Sequence, residues 1–229
     1  DEARGIGISY GSLDQFDEMI YKQRVGESIP IGQDPPQRQL QSLIDLNNQG
    51  LSEQVLVRTR ELLRQFPDSV MLNNIQGIAY ACLHQLDEAM ASFRNTLVIN
   101  PNYADAYNNI ANIFKEWGDL DSALESYKAA LKINPRYAQA YYNIGNVFNQ
   151  KGATDSAIKN YRQALEIDAN YYEVHNDLSI ALRGKGQLDE AINSCGKAIK
   201  LYPDFFDAHN NMGNILKETG DLDGAMNSY

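Results

Sequence analysis

Pro67, Pro101 and Pro135 stand 34 residues apart, and Pro203 falls two such steps beyond Pro135, with Ala169 in the intermediate place. Gly118, Gly152, Gly186 and Gly220 keep the same interval, as do Ala89, Ala123, Ala157, Ala191 and Ala225. Aromatic rings recur in step at Phe93, Tyr127, Tyr161 and Tyr229, with Cys195 as the exception. A fixed period of this length argues against one closed core. Each period is one supersecondary unit that buries its apolar face against its neighbours.

The content of one period follows from its spacing. In residues 104–137, Tyr107, Ile110, Ala111 and Phe114 share one helical face, and Trp117, Gly118 and Asp119 break the pattern. Leu120, Ala123, Leu124, Tyr127, Ala130 and Leu131 resume it, and Asn134-Pro135 stops it. The unit therefore reads as a helical hairpin. Ala111 and Ala123 allow close approach of the two helices, and Asp119 and Asp121 suit the positive end of the second helix's dipole.

These positions resemble the tetratricopeptide repeat (TPR). Gly77, Tyr80, Ala89, Phe93 and Pro101 fit its signature, as do Tyr107, Ala111, Phe114, Ala123, Tyr127, Ala130 and Pro135. The likeness continues through Gly145, Phe148, Ala157, Tyr161 and Ala164, then Leu182, Ala191, Ala198 and Pro203, and finally Gly213, Leu216, Ala225 and Tyr229. It implies an all-α fold, a right-handed superhelical solenoid of antiparallel helix pairs. Repeats are expected at 70–103, 104–137, 138–171 and 172–205, a truncated one at 206–229, and a degenerate capping repeat at 36–69. The repeats look most similar to those of O-linked N-acetylglucosamine transferases and bacterial TPR scaffolds.

Residues 1–35 read as an extension or linker outside the array. One short helix is expected from Ser12, with Leu13, Phe16, Met19 and Ile20 on one side. Tethered by the Gly26–Pro36 linker, this segment could fill the chain's own groove or a neighbour's.

Asparagine is the residue that needs explaining. "YNNIANIF", "YYNIGNVF", "HNDLSIAL" and "HNNMGNIL" repeat one pattern inside first helices. Each asparagine costs about 0.5 kcal/mol of helix propensity against alanine, so nine cost roughly 4–5 kcal/mol. On a helical wheel Asn108, Asn109 and Asn112 lie opposite Tyr107 and are expected to face away from the core. The resemblance implies that first helices line a concave wall. The expected peptide-binding column is Asn74, Asn108, Asn109, Asn112, Lys115, Tyr142, Asn143, Asn146, Asn176, Asp177, Arg183, Asn210, Asn211 and Asn214. A row of amides can pair with the alternating N–H and C=O of an extended chain without demanding its sequence. The competing use is a ladder in which amides of adjacent repeats bond to one another and hold the register.

Other chemistry is disfavoured. A net charge of −10 opposes nucleic-acid phosphate and anionic lipid, and no apolar run reaches the length of a membrane span. The resemblance also implies a second use, a clamp for a C-terminal carboxylate as in chaperone-binding members, but the equivalent places carry Asn74, Ile78, Asn109, Gln139 and Asn143, none of them basic. His175 and His209 take the place of the Tyr107 and Tyr141 rings, which favours packing over metal binding. Cys82 and Cys195 read as reduced and unpaired, which with the absence of a leader suggests a cytoplasmic, intracellular setting. No active site, metal or cofactor is expected. The leading reading is a non-catalytic scaffold that binds a protein or peptide in extended form. The alternative is the substrate-recruiting arm of a larger glycosyltransferase or sulfotransferase.

Overall fold

Each hairpin turns on a residue with left-handed backbone, and this sets the angle between its helices. In a computed structural model, residues 34–229 are described; the short helix expected from Ser12 and its groove-filling role lie outside them. Twelve α-helices and no strand occur among the described residues, in keeping with the all-α expectation. They pair as α1 (Gln37–Asn48) with α2 (Ser52–Leu63), α3 (Val70–Cys82) with α4 (Leu86–Ile99), and α5 (Ala104–Glu116) with α6 (Leu120–Ile133). The pairs α7 (Ala138–Gln150) with α8 (Thr154–Ile167), α9 (Tyr172–Gly184) with α10 (Leu188–Leu201), and α11 (Phe206–Thr219) with α12 (Leu222–Ser228) follow. The chain divides into two units, the first ending at Ile133 and the second running from Asn134 to Tyr229.

The hairpin turns carry positive φ at Gly118 (80°), Gly152 (73°), Gly186 (71°) and Gly220 (88°). At the same register His84 adopts φ 55°, a conformation in which a side chain is strained. Second helices end in a different device. The side-chain oxygens of Asn100, Asn134 and Asp168 accept from the backbone N–H two residues on, at 3.0, 3.1 and 3.0 Å. This short-range bond fixes the turn that leads into the next first helix.

In the first unit, Leu43, Val55, Leu56, Leu72, Ile75 and Ala79 form one buried cluster that joins α1 and α2 to α3. The second unit buries Ile158, Tyr161, Val174, Leu178, Leu182, Cys195 and Ile215 with the small residues between them. Phe93, Tyr127 and Tyr161 are essentially inaccessible. Their rings fit only because the facing first helix carries a small residue. A Cβ on Gly145 would stand 2.5 Å from the Tyr161 ring, closer than carbon atoms approach.

Candidate functional site

One register of interhelical hydrogen bonds recurs along the first helices. In the first unit Asn109 Nδ2 donates to Asn74 Oδ1 at 3.3 Å, between α5 and α3. In the second unit the Tyr142 hydroxyl donates to Asp177 at 2.8 Å, between α7 and α9, and Asn211 Nδ2 donates to Asn176 Oδ1 at 2.9 Å, between α11 and α9. Each bond joins residues 35 apart, one repeat plus one position.

A second series ties the two helices of a hairpin together. Tyr127, Tyr161 and Tyr229 donate their hydroxyls to the Oδ1 of Asn112, Asn146 and Asn214 at 2.5, 2.7 and 2.9 Å. The pairing extends to the exceptions. Where the second helix carries Phe93 or Cys195, with no hydroxyl to satisfy, the asparagine position holds Ile78 or Ile180. A buried hydroxyl needs a partner, so asparagine accompanies tyrosine and isoleucine accompanies its absence.

These bonds correct the expectation that the asparagines face away from the core. Asn74, Asn108, Asn143 and Asn176 are only 4–6% exposed. A wheel drawn for one helix contains no lateral neighbour, and the first helix of the adjacent repeat covers Asn74 and Asn176 from the side. Asn109, Asn112, Asn146, Asn211 and Asn214 are half-buried, and Asn210 is exposed. Lys115 is half-buried in the last turn of α5. Arg183 forms an ion pair with Glu218 at 3.7 Å.

Around Tyr142 the second unit builds a denser network. The Tyr171 hydroxyl donates to Gln139 Oε1, and Gln139 Nε2 donates to Asn143 Oδ1 at 3.3 Å. Tyr142 packs against Tyr171 and Tyr161 at ring separations of 5.2 and 6.0 Å. Burial raises the Tyr142 hydroxyl well above its ordinary pKa, and the neighbouring Asp177 charge adds to this. Asp177 is itself raised by burial, against the pull of its bonds from Tyr142 and Asn176; Glu173 and Asp207 push it further. Gln139 and Tyr171 are absent from the column expected from sequence, although Tyr103, Tyr137 and Tyr171 keep the repeat interval that could have flagged the ring.

His175 is buried, and its Nε2 lies 3.0 Å from the Ala169 carbonyl, to which it donates as the neutral tautomer. His209 repeats this contact with the Pro203 carbonyl at 2.8 Å. The Cys195 thiol donates to the Ala208 carbonyl at 3.0 Å, and burial pushes its pKa up to about 11, so at neutral pH it packs as a thiol. Cys82 is a free, exposed thiol. Among the described residues no helix is long and apolar enough to cross a membrane.

Hairpins repeated at one interval, with polar bonds locking neighbour to neighbour, define a helical-repeat protein. Family comparison gives the particular kind. A model described as "TPR repeat" matches residues 111–152 and 180–220, and two described as "Tetratricopeptide repeat" match 138–171 and 92–125. The chain belongs to the tetratricopeptide-repeat proteins. No curated protein is significantly similar to it in sequence.

Solved structures share the fold at low identity. PilF of Pseudomonas aeruginosa is 17% identical with a TM-score of 0.76, covering 84% of this chain and 87% of its own. TTC0263, a thermophilic TPR protein of Thermus thermophilus, is 22% identical at a TM-score of 0.67, covering 79% and 98%. YrrB, described as a TPR protein with an unusual peptide-binding site, is 18% identical at 0.59, covering 74% and 88%.

Proposed function

We propose that the first-helix surface in each unit holds an extended segment of a partner protein, and that the chain acts as a non-catalytic scaffold. The carrying observation is the half-buried amides Asn109, Asn211 and Asn214. Each commits one atom to an internal bond. A primary amide has two N–H donors and a carbonyl with two lone pairs, so most of its capacity remains for a peptide backbone. The internal bonds also fix each amide's orientation, which lowers the entropy cost of binding. The buried Asn74 and Asn176 orient Asn109 and Asn211 from behind, and the buried Asn108 and Asn143 belong to the same reading. Tyr142, Asn146 and Asp177 belong to it too, as do Asn112, Lys115, Arg183 and Asn210. The likeness to the repeat arms of O-linked N-acetylglucosamine transferases belongs to this reading as a mode of binding. So does the peptide-binding site named for YrrB.

The test is titration with decapeptides selected from a random display library, followed by NMR of the asparagine side-chain amides. Shifts at Asn109, Asn211 and Asn214 are expected, and Asn211→Ala with Asn214→Ala should weaken binding to the second unit about tenfold at two lost hydrogen bonds. Shifts confined to the second helices, or unchanged affinity in the double variant, would rule the reading out.

A further inference from the structure

The array departs from its own pattern at one place. Asn100, Asn134 and Asp168 close the turn after a second helix with a side-chain bond, but the fourth residue of that series is Tyr202. Tyr172 and Phe206 likewise occupy the register of Ala104 and Ala138. The fold does not require these rings, since smaller residues serve elsewhere. Yet Tyr172 and Tyr202 converge with Phe205: Tyr172 lies 5.1 Å from each, and Tyr202 lies 6.0 Å from Phe205. Tyr202 remains 45% exposed, and Tyr172 and Phe205 are half-buried. Such rings cluster at a surface against the hydrophobic effect unless something covers them.

Their surroundings say what kind of group would. Glu173 follows Tyr172, and its carboxylate raises the pKa of the Tyr172 hydroxyl. Asp204 and Asp207 flank the Phe205-Phe206 pair. Among the described residues no lysine or arginine forms an ion pair with Glu173, Asp204 or Asp207. Aromatic faces beside unpaired carboxylates suit a flat cation: a guanidinium stacks on a ring, gives paired N–H bonds to a carboxylate and lays its aliphatic stem along the apolar surface. A chain of net charge −10 attracts basic partners from a distance.

We propose that the edge formed by Tyr172, Tyr202 and Phe205 with Glu173 binds an arginine side chain of a partner protein segment. This rests on the proposed scaffold function only in that the arginine arrives on a peptide chain. The contact anchors a segment at one point, where backbone pairing along the first helices leaves sequence open.

The test uses three peptides of one length and one polar background, differing at a central arginine, citrulline or glutamine, titrated calorimetrically against the full chain. Citrulline keeps the planar shape and removes the charge. Arginine is expected to bind at least tenfold more tightly than citrulline. The variants Tyr172→Ala and Tyr202→Asn restore residues that the chain itself uses at Ala138 and Asn134, and Glu173→Gln restores that of Gln139, so all three should fold. Together they should bring arginine down to the citrulline level and leave citrulline unchanged. Equal binding of all three peptides to the wild type would overturn the arginine site and leave the backbone-binding reading standing. Binding of the arginine peptide alone would do the reverse, and no binding by any would defeat both. Retention of the arginine preference in the triple variant would also overturn the assignment.

Discussion

The hairpins α7–α8 and α9–α10 share a backbone plan and differ in what fills it. In α7–α8, Tyr161 lies against Gly145 and donates to Asn146. In α9–α10 the same places hold Cys195, Ser179 and Ile180, and the thiol donates to the Ala208 carbonyl instead. Both cores close without an unpaired polar atom at this position, by opposite means. A large ring needs a small residue beneath it, Gly145 here and Ala111 in the Tyr127 hairpin, and its hydroxyl needs an amide at the tip, whereas a small thiol needs neither. Each three-residue set works only as a whole, which is why an asparagine in a first helix cannot be interpreted without its second helix.

The largest effect should come from emptying one set. Tyr161→Ala leaves a cavity and should destabilise the second unit by about 3–5 kcal/mol in urea unfolding. The opposite error is Cys195→Tyr, which forces a ring against Ser179. A loss of about 1–3 kcal/mol is expected, largely restored when Ser179→Gly and Ile180→Asn are added. If the triple change gives no recovery, the sets are not interchangeable.

Removing only the tip of the bond is milder. Asn146→Ile should cost about 1–3 kcal/mol by leaving the Tyr161 hydroxyl unpaired, and much less in a Tyr161→Phe background that mimics Ile78 with Phe93. Additive losses in this cycle would show that the bond has no energetic part.

Acid separates the two hairpins further. Burial holds His175 below its ordinary pKa and Lys197 adds to this, against the bond to the Ala169 carbonyl. The folded chain therefore resists the proton that the unfolded chain accepts. The contribution is full above about pH 6.5 and falls as pH drops toward the folded value. His175→Tyr, the residue found at Tyr107 and Tyr141, should flatten the fall in urea midpoint between about pH 7 and about pH 5. Parallel pH profiles would refute this.

The smallest effect is a gain: His84→Gly places glycine where Gly118 and Gly152 stand, and should stabilise the first unit by about 0.5–1 kcal/mol in thermal unfolding.

The helices, their turns and their packing rings were legible as soon as the 34-residue interval was seen. A stacked array puts the same physical demand on every copy, so proline, glycine and ring recur in step. The residue types of the candidate surface were legible for the same reason. Their burial was not. Asn108, Asn143 and Asn176 follow a polar face on the wheel but lie inside, because burial depends on what stands beside a helix as well as on its own face. The Tyr–Asn pairs are a middle case, since residues 15 apart in three repeats, with isoleucine where the tyrosine is missing, carried the signal. The convergence of Tyr172, Tyr202 and Phe205 belongs to the tertiary structure. Their departures from the pattern were visible in the sequence, but only packing a second helix's end against a first helix's start brings residues 30 apart into one aromatic edge. By itself the sequence determined the period and therefore the hairpin. Which polar groups meet each other and which meet a partner was decided by the neighbours that stacking supplied.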